Sequence, residues 1–316
     1  MYDLSTKKET QITTSSGIAH NPAIYGSKIV YDDEYDGKVD IYMYDVSTKK
    51  ETQITTSGSA SNPDIYGNRI VYVDHRDGNA DIYMYDISTK KETQITSSPD
   101  SQVYPVIYGN RVVWEDEGGE DDSWQHHGIY MYDISTNKKM KISTSESAGD
   151  PAINGDRIVW TDTSSLDPNG NGNIDVYVYD LSTKKQTQIT TSPDWQLSPT
   201  IYGNKIVWWD VGGIDDSWQH HGIYMYDIST NQKMKISTTE SAWNPAIYDN
   251  RIVYCDDRNN YTNYDIYMAT VEVPQPKLPV AAFSASPRSG KAPLKVQFTD
   301  KSGNSPTSWK WSFGDR

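Results

Sequence analysis

Apolar and polar residues alternate with a period of two along most of this chain, in short runs broken by turn residues, and no stretch sustains a helical period of about 3.6. The runs recur as a set of four. The first is the short stretch Ala23-Ile24-Tyr25 in its earliest copy. It is closed by a two-residue turn, Gly26-Ser27 there and Gly67-Asn68, Gly109-Asn110, Gly155-Asp156, Gly203-Asn204 or Asp249-Asn250 in later copies, residues that supply the positive φ of tight hairpins. A second run follows at once (Arg69-Ile70-Val71-Tyr72-Val73), then a third (Asp81-Ile82-Tyr83-Met84-Tyr85-Asp86). The polar turn Ser88-Thr89-Lys90-Lys91 leads into a fourth, Glu92-Thr93-Gln94-Ile95-Thr96. β-Branched and aromatic residues fill all four, as strands prefer.

The set occurs six times. Its anchoring prolines are Pro22, Pro63, Pro105, Pro151, Pro199 and Pro245, at steps of 41, 42, 46, 48 and 46 residues. A small four-stranded sheet cannot bury its own faces, and tandem copies of this length predict an all-β fold, a six-bladed β-propeller of four-stranded antiparallel blades. The sixth copy supplies three strands and then meets Pro274, Pro276 and Pro279, whereas the chain opens with the missing piece, Glu9-Thr10-Gln11-Ile12-Thr13. Residues 1–273 are therefore expected to form the propeller, with 9–13 laid beside 265–271 as the strand that closes the last blade. Met1 aligns with Met43, Met84 and Met131 inside the third strand, a start expected of a piece of a longer product whose export signal lies upstream.

A Pro-rich linker, 274–279, separates a segment of different composition that holds all three phenylalanines, Phe283, Phe298 and Phe313. Its Ala292-Pro293-Leu294-Lys295-Val296-Gln297-Phe298 and Trp311-Ser312-Phe313-Gly314-Asp315 stretches resemble the first half of a PKD domain, an immunoglobulin-like extracellular sandwich. The resemblance implies an incomplete module over 280–316, expected to be poorly ordered or extended because half a sandwich has no closed core. The repeat, through Pro-x-Ile-Tyr-Gly-Asn-Arg-Ile-Val and Asp-Ile-Tyr-Met-Tyr-Asp, resembles the propeller repeats of Methanosarcina-type surface proteins and, more distantly, TolB-like propellers. That likeness implies a cell-surface setting, with surface proteins or glycans as partners; fold likeness does not fix function.

Composition narrows the classes. A net charge of −14 argues against nucleic acid as a partner. No run approaches the roughly 18 apolar residues of a membrane span, and the lone Cys255 excludes an internal disulfide. The sequon Asn260-Tyr261-Thr262 offers a glycosylation point if the chain is exported. The loops between second and third strands are rich in acid (Asp32, Asp33, Glu34 and Asp36; Glu115, Asp116, Glu117, Glu120, Asp121 and Asp122; Asp210, Asp215 and Asp216; Asp256 and Asp257), and the opposite turns carry Lys28, Arg69, Arg111, Arg157, Lys205, Arg251 and paired lysines. One face of the disc is expected to be acidic and the other basic.

Two loops on the acidic face are near copies, Asp121-Asp122-Ser123-Trp124-Gln125-His126-His127-Gly128 and Asp215-Asp216-Ser217-Trp218-Gln219-His220-His221-Gly222, which points to duplication of a two-blade unit. Trp124, His126, His127, Trp218, His220 and His221, with Trp195 and Trp243 from the loops joining blades, make a candidate binding surface for glycan or a transition metal. The other reading is of tryptophans packed across the inserts and histidines inherited through the duplication. In the fourth copy Asp167, Asn169, Asn171, Asn173 and Asp175 have the spacing of a weak structural Ca²⁺ loop, and also the composition of a polar hairpin. No G-x-S-x-G, H-E-x-x-H, Walker or dinucleotide motif is present. The expected protein is a non-enzymatic surface disc for structure or interaction. A ligand-binding propeller is the alternative, and a lyase or hydrolase a remote one.

Overall fold

The computed structural model describes residues 1–118, 127–166, 172–212, 221–258, 264–271, 280–303 and 308–312. Its strands form six antiparallel blades, at residues 18–53, 60–94, 102–141, 148–188, 196–235 and 242–270. Blades 1 to 5 have four strands in sequence order, and blade 6 has three among the described residues. The chain divides into two units, Met1–Thr270 and Val271–Arg316. In the second, Phe283–Ser286 pairs with Gln297–Asp300; Trp311 meets Phe283 and Phe298 edge to face, and Phe283 and Trp311 are exposed. The segment expected to be poorly ordered or extended thus contains a hairpin, and its described residues enclose no core.

Strand alternation explains how blades mate. In the second strand of blade 2, Ile70 and Tyr72 point back to Val30, Ile41 and Met43 of blade 1. Val71 and Val73 point forward, joining Ile82 against Ile107, Val112 and Trp114 of blade 3. The same division recurs around the arc. Within every blade an aromatic of the second strand stacks on a tyrosine of the third, as in Tyr72–Tyr83 and Trp160–Tyr177, with ring centroids 6.1 and 6.0 Å apart. Arg69, Arg111 and Arg157 each donate to a carbonyl and a side chain in the next blade's first turn, Arg111 Nη1 reaching Gly155 O at 2.8 Å and Asp156 Oδ1 at 2.7 Å.

The ring has a seam. Blade 6 presents forward-facing residues that are 37% (Val253), 46% (Met268) and 72% (Ile266) exposed, whereas their counterparts Val71 and Ile82 are 0% exposed. On the other side Ile24 of blade 1 is 61% exposed against 4% for Ile65 and Ile107. The expected pairing of 9–13 with 265–271 is not made. Lys8–Glu9 instead pairs with Tyr2–Asp3, in the register of the outer hairpin of blade 1, where Tyr44 faces Glu51 and Asp45 faces Lys50. The physical reason is competition for one edge: Tyr2-Asp3 copies the end of a third strand and is tethered beside its mate.

Repeat chemistry nonetheless assigns that strand a home. Where the second strand carries tyrosine, the outer strand carries glutamate, and Tyr31 and Tyr72 donate to Glu51 and Glu92. Where it carries Trp114 or Trp208, the outer strand carries Lys139 or Lys233 over the ring. Blade 6 carries Tyr254, and the glutamate of the matching register is Glu9.

The acidic face is less acidic than its sequence. Asp33, Asp74, Asp116, Asp162, Asp210 and Asp256, the sixth residue of each second strand, are buried. These carboxylates fasten neighbouring loops: Asp74 accepts from Ser59 Oγ at 2.8 Å, and Asp162 from Ser145 and Ser147 Oγ at 2.8 and 3.1 Å. Burial raises the pKa of Asp256, but hydrogen bonds from Arg258, Thr239 and Ser241 outweigh it and hold the group at about 2.

Candidate ligand-binding cleft

Among the residues singled out in sequence, Trp124, His126, Trp218, His220, Asp167, Asn169 and Asn171 lie outside the described residues, as does Asn260. Trp195 is exposed, and its indole N–H donates to Gly172 O at 3.1 Å. His127 and His221 stand just before the third strands of blades 3 and 5. Among the described candidates, His221 and Trp243 are brought together. They line a cleft of about 960 Å³ between blades 5 and 6 with Trp209, Glu240, Asp257 and Arg258.

Trp209 comes from the second strand of blade 5, Lys205–Asp210. Its neighbour Trp208 takes the core side of that strand, so alternation turns Trp209 the other way. Trp243 is on the inner strand of blade 6, Ala242–Tyr248. Their ring centroids are 6.5 Å apart at 53°, and Tyr264 meets Trp243 edge-on at 5.7 Å. Burial pulls the His221 pKa down, against the opposing pull of Glu240 and Asp194. Asp257 Oδ1 is buried and has no hydrogen-bond partner among the described residues.

The duplication shows what is particular to this cleft. Blade 3 matches blade 5 at Trp114/Trp208, His127/His221, Gly128/Gly222 and Ser143/Ser237. It differs where the cleft lies: Glu115 replaces Trp209, and Gly149 replaces Trp243. There Glu115 fills the space, since a Cβ on Gly149 would lie 2.8 Å from its Oε2. Trp209 was missed in sequence because Trp208-Trp209 reads as core; comparison of the duplicated halves carries the signal.

Asn173 and Asp175 belong to a structural hydrogen-bond network. Asp175 is buried and accepts from Thr190 Oγ1 at 2.8 Å, Gln188 Nε2 at 3.0 Å and Asn173 Nδ2 at 3.2 Å; Asn173 also donates to Ser192 O. Blade 2, without the loop, builds the same network from Asp81, Thr96, Gln94 and Asn79. Among the described residues no group of three or more His, Cys, Asp or Glu is placed to hold a metal. Asp175→Ala is expected to cost about 1–3 kcal/mol by stranding the Thr190 network. Its melting temperature should fall equally with calcium and with chelator; a loss seen only with calcium would support the ligand role instead.

A second concavity, about 400 Å³, is the central channel, ringed by the six anchoring prolines. The residue before each proline has positive φ, from 47° at Asn21 to 53° at Asp150, and the inner strand slips register there. Asn154 ends the inner strand of blade 4, where the other copies have tyrosine. Asn154 accepts from the Gly203 N–H of the next blade at 3.0 Å. The overlooked variants flank the prolines: Asp64, Tyr104 and Asp150, with Glu115 accepting from Asp150 N at 3.1 Å. Burial pushes Asp64 up to about 6 and Glu115 up to about 7. A carboxyl raised on folding gives stability that is full below its ordinary value, 4.5 for Glu115, and is lost as pH climbs through about 7. Glu115→Gln should therefore leave the melting temperature unchanged at pH 4 and raise it at pH 8; equal effects at both would refute the shift.

No protein-family model matches the chain, and no curated protein matches it. The fold is that of a six-bladed β-propeller, and solved structures share it. An oligogalacturonate lyase in complex with manganese is similar at TM-score 0.60 and 15% identity, over 86% of this chain and 82% of that one. The propeller domain of the Trilobed protease from Pyrococcus furiosus, described as having an open velcro topology, is similar at 0.61 and 14%, over 79% and 81%. TolB from Acinetobacter baumannii follows at 0.50 and 16%, over 77% and 61%. At such identities the likeness is one of fold.

Proposed function

We propose that this chain is a non-enzymatic binding propeller displayed at the cell surface, and that its ligand is a glycan held in the cleft between blades 5 and 6. One observation carries the reading: Trp209 and Trp243 form two tilted aromatic walls over a polar floor, at the junction where the duplicated unit has changed a Glu/Gly pair into a Trp pair. Aromatic faces take the apolar faces of sugar rings, and a few polar groups set orientation. The 280–316 segment, read as the leading half of a PKD module, acts as a spacer, and the resemblance of the repeats to surface-protein propellers supports export. Glycan-array binding that is lost in Trp209→Ala and Trp243→Ala but kept in Trp195→Ala would support the site. Binding unchanged by either cleft variant, or native protein found wholly in the cytosol, would overturn the corresponding half of the proposal.

The channel supports a second reading. Its raised carboxyl Asp64, and Glu115, which accepts from the N–H of channel-lining Asp150, have the protonation needed of a general acid near neutral pH. Turnover of an oligosaccharide abolished by Glu115→Gln would favour a lyase or hydrolase.

A further inference from the structure

The cleft also bears on the charge of what enters it. Its cationic side chain, Arg258, is already committed. The guanidinium pairs with Asp256 and lies 3.7 Å from the centroid of the Tyr267 ring. His221, the other basic group in the lining, is shifted by burial toward its neutral form. The acids are not matched in this way. Glu240 is exposed and has no ion pair among the described residues, and Asp257 keeps a buried oxygen without a hydrogen bond. Two carboxylates thus line the cleft without an ion pair among the described residues, between aromatic walls that themselves favour a cation over their faces.

Resting on the reading of the cleft as a glycan site, we infer that its ligand is an amino sugar bearing a free ammonium group. The ammonium would donate to Asp257 and Glu240, and the ring would lie against Trp209 or Trp243. A uronate or sulfated sugar meets the same two charges as repulsion, with no uncommitted arginine to receive it. Thr239 and Ser241, whose hydroxyls both go to Asp256, hold the floor in place and leave the recognition to the acids.

The test uses the whole chain and four probes: a glucosamine tetramer, its fully N-acetylated counterpart, a galacturonate tetramer and a lysine tetramer, each titrated by calorimetry at low salt. The glucosamine tetramer is expected to bind at least tenfold tighter than the N-acetylated form, with the galacturonate not binding. The double variant Glu240→Gln, Asp257→Asn should erase that preference, with a circular-dichroism spectrum and cooperative melting transition like those of the parent reporting that it is folded. Trp243→Ala should weaken both sugars together. N-acetylated or galacturonate tetramer binding as tightly as the amine, with Trp243→Ala still damaging, would overturn the charge inference and leave the cleft standing. Lysine tetramer bound in preference to every sugar, or no sugar bound at all, would overturn both.

Discussion

Alanine at Ile82 is expected to cost about 2–5 kcal/mol, and alanine at the equivalent Ile266 to cost no more than about 0.5 kcal/mol. The two occupy the same place in the repeat. Ile82 is sealed between blades 2 and 3 with Ile107, Val112 and Trp114, so truncation leaves a cavity with few ways to collapse. Ile266 faces the seam and is already 72% exposed, so little apolar surface is left to lose. Chemical denaturation of both variants reads the contrast directly. A large loss at Ile266 would show that the ring closes in solution. In that case Glu9→Gln should be destabilising too, because the Tyr254 hydroxyl and Arg258 would lose the partner that Glu92 gives Tyr72 and Arg76.

Gly128→Ala should cost on the order of 3 kcal/mol, from a lost hydrogen-bonded pair and backbone strain together. Gly128 sits at φ 133°, and an added Cβ would come 2.5 Å from Ser143 Oγ and 3.0 Å from Ser145 O. That hydroxyl accepts the Ile129 N–H and donates to Ser145 O, so it cannot retreat without leaving buried groups unsatisfied. Gly203→Asn is the control. Gly203 has φ 58° and open space for at least 4 Å around the point where a Cβ would stand, and Asp249 already occupies the matching turn of blade 6 at φ 56°. A change within about 0.5 kcal/mol is expected there. Equal melting temperatures for the two variants would refute the steric argument.

The blades were legible in sequence because three signals coincide in every copy: a period-two pattern, a turn dipeptide that supplies positive φ, and a proline at a fixed place. Closure was not, because strand pairing is a competition and sequence similarity to an outer strand does not reveal a closer partner. Glu9 matches Tyr254 by repeat chemistry, yet Tyr2 is nearer along the chain. The acidic face was misjudged for a related reason. A run such as Asp32-Asp33 reads as solvated, but Asp33, Asp74, Asp162 and Asp256 accept from serines or threonines of the preceding loop, 15 positions back at Ser59, Ser147 and Ser241. The cleft was half visible. Trp243 and His221 were named, while Trp209, Glu240, Asp257 and Arg258 each looked like ordinary repeat residues until two blades were placed side by side.

The seam also bears on inheritance. A closed ring fixes how many sheets it holds, since an extra one would alter the angle at every junction. An arc with free ends has no such constraint. The near-identical stretches at 121–128 and 215–222 lie 94 residues apart, one two-blade unit, and unequal crossing-over between them adds or removes that unit in a single event. Every remaining junction would keep its mates, so the gene can drift in length while its product keeps folding, and alleles differing by whole pairs of blades are the expected mark of that history.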